Sequence, residues 1–566
     1  MFGYCSLAAR LLIITAIHTA HAKQNCPIYG LGYPKPTNLL NSQGIKNAAS
    51  ALDSVFAQYI DDANNTGSDT FSYSVEVFAA SEPTPLWSHY WTAKNLATMN
   101  TTGVRKIDGN TVYRIGSLSK IFTILTFLAE VGDSSWNEPI AKFIPEIAAM
   151  AANASDNSHS LTSPDWGSIT IGALASQISG EIPPCGSNPV CTRAQFFQGL
   201  QKLPPSFAPF VTPAYSDIGY VLLGYALEKM TGWPFQQSFE DKLVKPLNLT
   251  RTFYSKPDDA LGVIPGDRQK TTWAFNMGNE SPTGSVYCSV SDLSAVGRAI
   301  LRSTLLPWPV TRRWLRPVTF SSDPVSSVGS PWGVRRLSIS PNTTYQFATT
   351  YNKLGSIGSY SSLLALIPDF DIGFSISLAS SSLLPAGLAT RIGDTLAQTY
   401  LPTLQAIARF QANATYAGTY TNPDMNSSLT ISVDFDNNST RPGLGLTSWI
   451  SNGVNMMGLS VALASNISSD YFASMQPSIR LYPTGLWDPL PSPSTGKRVG
   501  FKATFEDLSS APVSNPYTTD CATWVSLSGI AYGSQPLDLF IFEIDGDGTV
   551  VAVENAALRS RLVKIS

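Results

Sequence analysis

The stretch Tyr113-Arg114-Ile115-Gly116-Ser117-Leu118-Ser119-Lys120-Ile121-Phe122-Thr123 sets a serine and a lysine three positions apart. An apolar run follows (Ile124, Leu125, Phe127, Leu128), with an acidic stop near Glu130. The pattern predicts a buried helix that opens at Ser117. Residues three apart on a helix share a face, so the Lys120 amine is expected beside the Ser117 hydroxyl. Burial disfavours a charged amine, and a neutral lysine next to a serine can act as its general base. A hydroxyl at a helix N-terminus also faces free N–H groups that favour developing negative charge. An S-x-x-K match is weak on its own, and its weight comes from what lies downstream.

Two further constellations follow. Thr212-Pro213-Ala214-Tyr215-Ser216-Asp217-Ile218-Gly219-Tyr220 places a tyrosine in a turn ahead of a helix that Thr231-Gly232 closes. Such a tyrosine can aim its hydroxyl into a cleft, although taken alone it reads as a core residue with a satisfied hydroxyl. Lys353-Leu354-Gly355-Ser356-Ile357-Gly358-Ser359-Tyr360-Ser361-Ser362 leads into the apolar runs Leu363–Ile367 and Ile372–Ala379, separated by Pro368-Asp369-Phe370-Asp371. That is an antiparallel hairpin with an acidic turn. It puts Lys353 at a sheet edge as fixed positive charge, with Gly355 letting a substrate approach the backbone.

In that order, S-x-x-K, Y-x-(N/S) and K-T-G or H-x-G are the active-site motifs of the penicillin-recognising serine hydrolases. Over roughly residues 45–400 the chain resembles their class C β-lactamase-like branch, which also holds D,D-carboxypeptidases, D-aminopeptidases, esterases and fungal acyltransferases. Tyr113-Arg114-Ile115-Gly116, the segment from Ile169-Thr170-Ile171 to Ser179-Gly180, Gly219-Tyr220 to Thr231-Gly232, and Pro246-Leu247 carry the likeness further. The resemblance implies an α+β, β-lactamase/transpeptidase-like fold: an antiparallel sheet flanked by helices, plus an all-helical region. It implies that Ser117 attacks a carbonyl and is acylated, that Lys120 takes or relays its proton, and that Tyr215 protonates the leaving group. Lys353 would lower the tyrosine's pKa or bind a carboxylate, and the backbone N–H groups of Ser117 and Ser356 would form the oxyanion hole, with Gly355 and Asp217 at the substrate.

The sequence departs from the family pattern at three positions. Asp217 stands where the family usually has Asn or Ser, and an acid there changes the charge beside Lys120 and can hold it protonated. Leu354 replaces a Thr or Ser whose hydroxyl often contacts a carboxylate. Gln177 replaces a common His at a structural position. Asp217 and Leu354 argue against efficient recognition of penicillin-type substrates. The expected activity is hydrolysis of an ester or amide through an acyl-enzyme. Acyl transfer in secondary-metabolite biosynthesis and a non-catalytic binding protein of the same fold stand as alternatives.

Composition bounds the rest. The 566 residues exceed one compact core, and 43% hydrophobic against 14% charged content describes an ordered globular protein. The net charge of −3 comes with no basic block, which speaks against nucleic acid as a partner. Arg10, the apolar run Leu11–Ile17 and Ala20-His21-Ala22 read as a signal peptide over residues 1–22, too short to span a membrane. N-glycosylation sequons at Asn64, Asn100, Asn153, Asn248, Asn279, Asn342, Asn413, Asn426, Asn437, Asn438 and Asn466 fit an exported protein; Pro282 weakens the one at Asn279.

Of the cysteines after the signal, Cys185 and Cys191 flank a loop able to close a short disulfide. Cys26, Cys288 and Cys521 form an odd set, of which one is buried and free or pairs in a way the sequence does not fix. There is no C-x-x-C pair for zinc, and no metal or cofactor is expected. Only His89 and His159 follow the signal, so a Ser-His-Asp triad is poorly supported and the base should be a lysine. The domains are read as 23–405 for the hydrolase-like part and 413–566 for a small all-β barrel or sandwich, rich in Thr, Ser, Asn and Gly. Asp545-Gly546-Asp547-Gly548 reads as a hairpin turn and not as a calcium loop. Oligomeric state is not legible.

Overall fold

The computed structural model describes residues 25–565 apart from 31, 63–65, 154–159, 179–190, 340–345, 383, 385–386, 435–440, 466–473, 510, 512 and 520. The signal segment, Cys185, and the sequons at Asn64, Asn342, Asn437, Asn438 and Asn466 lie outside the described residues. The chain divides into two compact units. One holds the described residues of Lys35–Ser340 and Phe347–Ala408, the other those of Met1–Pro34, Pro341–Gln346 and Arg409–Ser566.

The larger unit is α+β. Its main strands are β1 (Phe71–Ala79), β2 (Trp87–Trp91), β6 (Thr319–Phe320), β7 (Ser326–Val328), β8 (Gly333–Ser338), β9 (Phe347–Ile357), β10 (Tyr360–Ile367) and β11 (Ile372–Ser380). They form one 8-stranded sheet in the order β2-β1-β11-β10-β9-β8-β7-β6, with antiparallel neighbours. The acidic hairpin read at Pro368–Asp371 is the β10–β11 connection. A second sheet joins β3 (Val112–Arg114), β4 (Thr252–Phe253) and β5 (Tyr287–Ser289) in the order β3-β5-β4. A helix over Gln43–Asp61 turns Ile45, Ala48, Leu52 and Phe56 inward.

The helix Ser119–Val131 has no solvent face over its first turns, since Ser119 through Leu128 are all buried. Each fully buried Ile, Leu or Phe there contributes on the order of 1.5–3 kcal/mol. Helix Val290–Arg302 is instead amphipathic and is capped by Ser289, whose Oγ accepts from the Asp292 N–H. It is tied to the sheet through Glu76, a buried carboxylate on β1. Glu76 accepts from Tyr90 Oη at 2.9 Å, Ser291 Oγ at 2.8 Å and Ser294 Oγ at 2.6 Å. Three hydroxyl donors make a charge affordable at a site water does not reach.

The smaller unit is a closed barrel. β12 (Gly418–Asn422), β13 (Ser427–Ser432), β14 (Leu444–Ser451), β16 (Pro477–Pro489), β17 (Gly496–Asp507), β20 (Leu539–Asp545), β21 (Val550–Asn555) and β22 (Ser560–Lys564) pair in sequence order, and β22 closes on β12. The short β15 (Val454–Asn455) extends β14, and β18 (Ala531–Tyr532) with β19 (Gln535–Pro536) forms a separate hairpin. Strict alternation of buried and half-buried residues along β13 and β20 is what a barrel wall requires. The interior is packed with rings: Phe501–Phe542 centroids lie 5.0 Å apart and Trp449–Phe540 5.2 Å. Asp545 caps the expected β20–β21 turn, its Oδ1 accepting from the N–H groups of Asp547 and Thr549.

The sequence places the start of the first domain at residue 23, whereas the described residues of 25–34 group with the barrel unit. Cys26 is bonded to Cys521. Asn25 Nδ2 and the Cys26 N–H both donate to Glu506. Cys288 is the buried free thiol. Cys191 is disulfide-bonded, with its partner outside the described residues. Among the described residues no helix is long and apolar enough to cross a membrane, and no group of three metal-ligating side chains occurs.

Candidate active site

Ser117 does not begin the α-helix, as its motif implied. It sits in a 3-10 turn, Gly116–Leu118, and the helix opens at Ser119. The turn is fixed from both ends. Ser119 Oγ donates to Gly116 O at 2.7 Å and accepts from the Val286 N–H. Gly116 adopts φ +51°, and a Cβ there would meet the Ser356 backbone at 2.7 Å. A side chain is excluded both by conformation and by space.

Lys353 and Gly355 were expected at a sheet edge. β9 is an inner strand of its sheet, but its pairing with β8 ends at Gly333–Asn352, so residues 353–357 form a local free edge, and the Ser117 turn packs there. Gly355 therefore meets the chain itself and not a substrate. A Cβ on it would lie 1.9 Å from Ile115 O and 2.6 Å from the Leu118 N. Ser362 Oγ donates to Ile115 O at 2.8 Å and completes the seam. Ser356 is exposed on this edge, its Oγ 3.4 Å from Ser361 Oγ. Leu354 is 38% exposed.

Lys120 is completely buried. Its Nζ lies 3.3 Å from Ser117 Oγ, 2.5 Å from Asp217 Oδ1 and 3.0 Å from Thr283 O. Tyr215 is half exposed, with Lys120 Nζ 5.0 Å and Lys353 Nζ 5.2 Å from its ring centroid. Lys353 Nζ donates to Tyr215 Oη at 3.5 Å and to Leu354 O at 2.6 Å. Burial, and then the nearby charge of Lys120, lower the Lys353 pKa to about 7, with Asp217 opposing the fall. The five residues Ser117, Lys120, Tyr215, Asp217 and Lys353 thus form one cluster.

Gln177 has the structural role read for it. It adopts φ +64°, its carbonyl accepts from the Ala214 N–H, and its Oε1 accepts from the Ser216 N–H, both at 2.6 Å. These bonds clamp the turn that presents Tyr215. The sequence reading missed Glu280, on the turn Gly278–Glu280. Burial, and then the charge of Asp217, raise its pKa, while Lys120 lowers it. No motif marks Glu280, and only its approach to the lysine–aspartate pair reveals it. Arg114, which precedes the Ser117 turn on β3, braces the site from behind. It is buried, donating from Nη1 to Thr272 O and Phe275 O at 2.6 and 3.0 Å.

Of the sequons on described residues, Asn100, Asn248 and Asn426 are exposed. Asn413 is half-buried, as is Asn279, whose Nδ2 donates to Cys191 O. Asn153 ends the helix Pro145–Asn153.

The fold and the serine–lysine–tyrosine cluster define a β-lactamase-type architecture. A beta-lactamase family model matches residues 85–397, and a second, described as the beta-lactamase-like-like C-terminal domain, matches 408–566. The chain belongs to the beta-lactamase family. It is 27% identical to a beta-lactamase-like protein of Arthroderma benhamiae over 98% of both chains. It is 26% identical to probable hydrolase M10 of a Phoma species, over 70% of this chain and 69% of that one. The D-alanyl-D-alanine-carboxypeptidase/endopeptidase AmpH of Escherichia coli is 28% identical over 32% of this chain and 47% of its own. Among solved structures, a Streptomyces D-stereospecific amidohydrolase aligns at 20% identity and TM-score 0.43, covering 57% of this chain and 93% of its own.

Proposed function

We propose that this protein is an exported serine hydrolase that cleaves an ester or amide through an acyl-enzyme on Ser117. The observation that carries the reading is the 3.3 Å approach of a fully buried lysine amine to a serine hydroxyl. That hydroxyl sits on a turn braced against a free strand edge. Ser117 attacks the carbonyl, Lys120 and Tyr215 manage its proton, and Lys353 holds Tyr215. The backbone N–H groups of Ser117 and Ser356 are assigned to the developing oxyanion. Passage through the secretory pathway is supported by the Cys26–Cys521 disulfide and by exposed sequons at Asn100, Asn248 and Asn426.

Hydrolysis of a series of p-nitrophenyl acyl esters tests the reading. Wild-type protein should turn over at least one of them with a burst of p-nitrophenol, and Ser117→Ala should lose both burst and turnover while keeping its melting temperature. Equal turnover by the two proteins would remove Ser117 from the reaction.

A further inference from the structure

Away from Ser117, the larger unit holds a cavity of about 310 Å³. One wall is the C-terminal end of the helix Ser119–Val131 and the turn after it, and the other is the helix Trp308–Trp314 and the segment leading to β8. Leu128, Trp136, Val310, Trp314 and Val318 make the lining mostly apolar. Leu128 lies two turns beyond Lys120 on the same helix, so at about 1.5 Å per residue the cavity begins roughly 12 Å along the axis from the active-site amine.

The polar groups are few, and each has a definite place. Arg313 Nε and Nη2 both reach Asp133 Oδ2 at 2.6 Å. This ion pair joins the two walls and cancels its own charge, and Arg313 Nη1 takes no part in it. Ser330, between β7 and β8, is 3% exposed. Its carbonyl accepts from Trp314 Nε1, and its hydroxyl has no partner among the described residues. Val318 is 50% exposed and marks the mouth. A space of this size corresponds to about ten waters at roughly 30 Å³ each, and every such water needs two to four polar partners. Hydrocarbon and indole walls cannot supply them, so an apolar ring that displaces this water binds at a gain. Two tryptophans favour an aromatic ring. An ion pair already neutral in itself offers a charged guest no net countercharge, whereas Ser330 Oγ and Arg313 Nη1 can both donate to a guest oxygen.

We propose that this cavity is a second small-molecule site, separate from the Ser117 cluster, that takes a neutral aromatic molecule of about ten to twelve non-hydrogen atoms with a hydroxyl or carbonyl oxygen at one end. The ring packs against Trp136 and Trp314, and the oxygen meets Ser330 or Arg313. The proposal stands whether or not Ser117 is reactive, because no residue of that cluster lines the cavity.

The test is calorimetric titration of the full chain with 2-naphthol, with naphthalene-2-carboxylate as the charged counterpart. The proteins are wild type, Val318→Trp, Val310→Phe and Ser330→Ala, each with its thermal melt recorded. Wild type should bind one equivalent of 2-naphthol saturably, and the carboxylate at least about tenfold more weakly. Val318→Trp closes the mouth from an exposed position, and Val310→Phe fills the cavity from the helix. Either variant that keeps its melt should lose at least about tenfold in 2-naphthol affinity. Ser330→Ala should keep the stoichiometry and bind about threefold to tenfold more weakly, the span of one hydrogen bond. No saturable binding to wild type up to about 1 mM, the millimolar floor of useful affinity, would overturn the site. Unchanged binding in folded Val318→Trp or Val310→Phe would place the naphthol elsewhere and overturn it equally. A carboxylate that binds as tightly as the naphthol would overturn the neutral ligand class, and unchanged affinity in Ser330→Ala would overturn the role of its hydroxyl.

Discussion

Gly355→Ala should damage the site by geometry, with no chemical group removed. The added Cβ would lie 1.9 Å from Ile115 O and 2.6 Å from the Leu118 N, both backbone atoms that no rotamer change can move. Restoring an ordinary contact requires β9 and the Ser117 turn to separate by roughly 1 Å, a displacement that costs on the order of 100-fold when it falls between reacting groups. The same overpacking should lower stability by about 1–3 kcal/mol. Fluorophosphonate labelling rate and a thermal melt report the two effects separately. The expected variant is folded, melts a few degrees earlier, and labels about 100-fold more slowly. Labelling within about threefold of wild type, with an unchanged melt, would show that the seam between β9 and the turn does not set the position of Ser117.

Two other substitutions should report on buried charge. Lys353 titrates near 7 in the fold against 10.5 ordinarily. Between those values the unfolded chain binds the extra proton, and stability should rise with pH. Lys353→Met should therefore be the more stable protein at pH 7, by about a few kcal/mol given roughly 1.4 kcal/mol per tenfold, with the gap narrowing toward pH 10 in urea titrations. Glu76→Gln keeps one acceptor oxygen but gives up a carboxylate bonded by three hydroxyls, and should cost about 1.5–3 kcal/mol in the same assay. An unchanged midpoint would mean that the Tyr90, Ser291 and Ser294 hydroxyls gain nothing from the charge.

Local chemistry made part of this molecule legible in its sequence. The largely apolar run after Ser117 forms a helix buried from Ser119 through Leu128, and the Pro368–Asp371 turn joins two apolar strands. What stayed hidden depends on contacts distant in sequence. Gly355 reads as an opening for substrate until Ile115, some 240 positions earlier, is seen to fill it. The 3-10 turn at Ser117 is imposed by its bonds to Val286 and its packing on Ser356. Glu280 belongs to no motif and meets Asp217 and Lys120 only in the fold. Residues 25–34 carry no sign in their composition that they are pinned to the barrel by Cys521 and Glu506. The role of Asp217 was half visible: its position beside Lys120 follows from the motif order, but the saturation of Nζ by a third acceptor, Thr283 O, does not.

The account rests on Ser117 being a live nucleophile, and the most direct test is to treat the purified protein with a fluorophosphonate and map the adduct by peptide mass spectrometry. The account predicts one stoichiometric adduct on Ser117, absent from Ser117→Ala. Folded protein that carries no adduct, or carries it on another residue, would contradict the assignment.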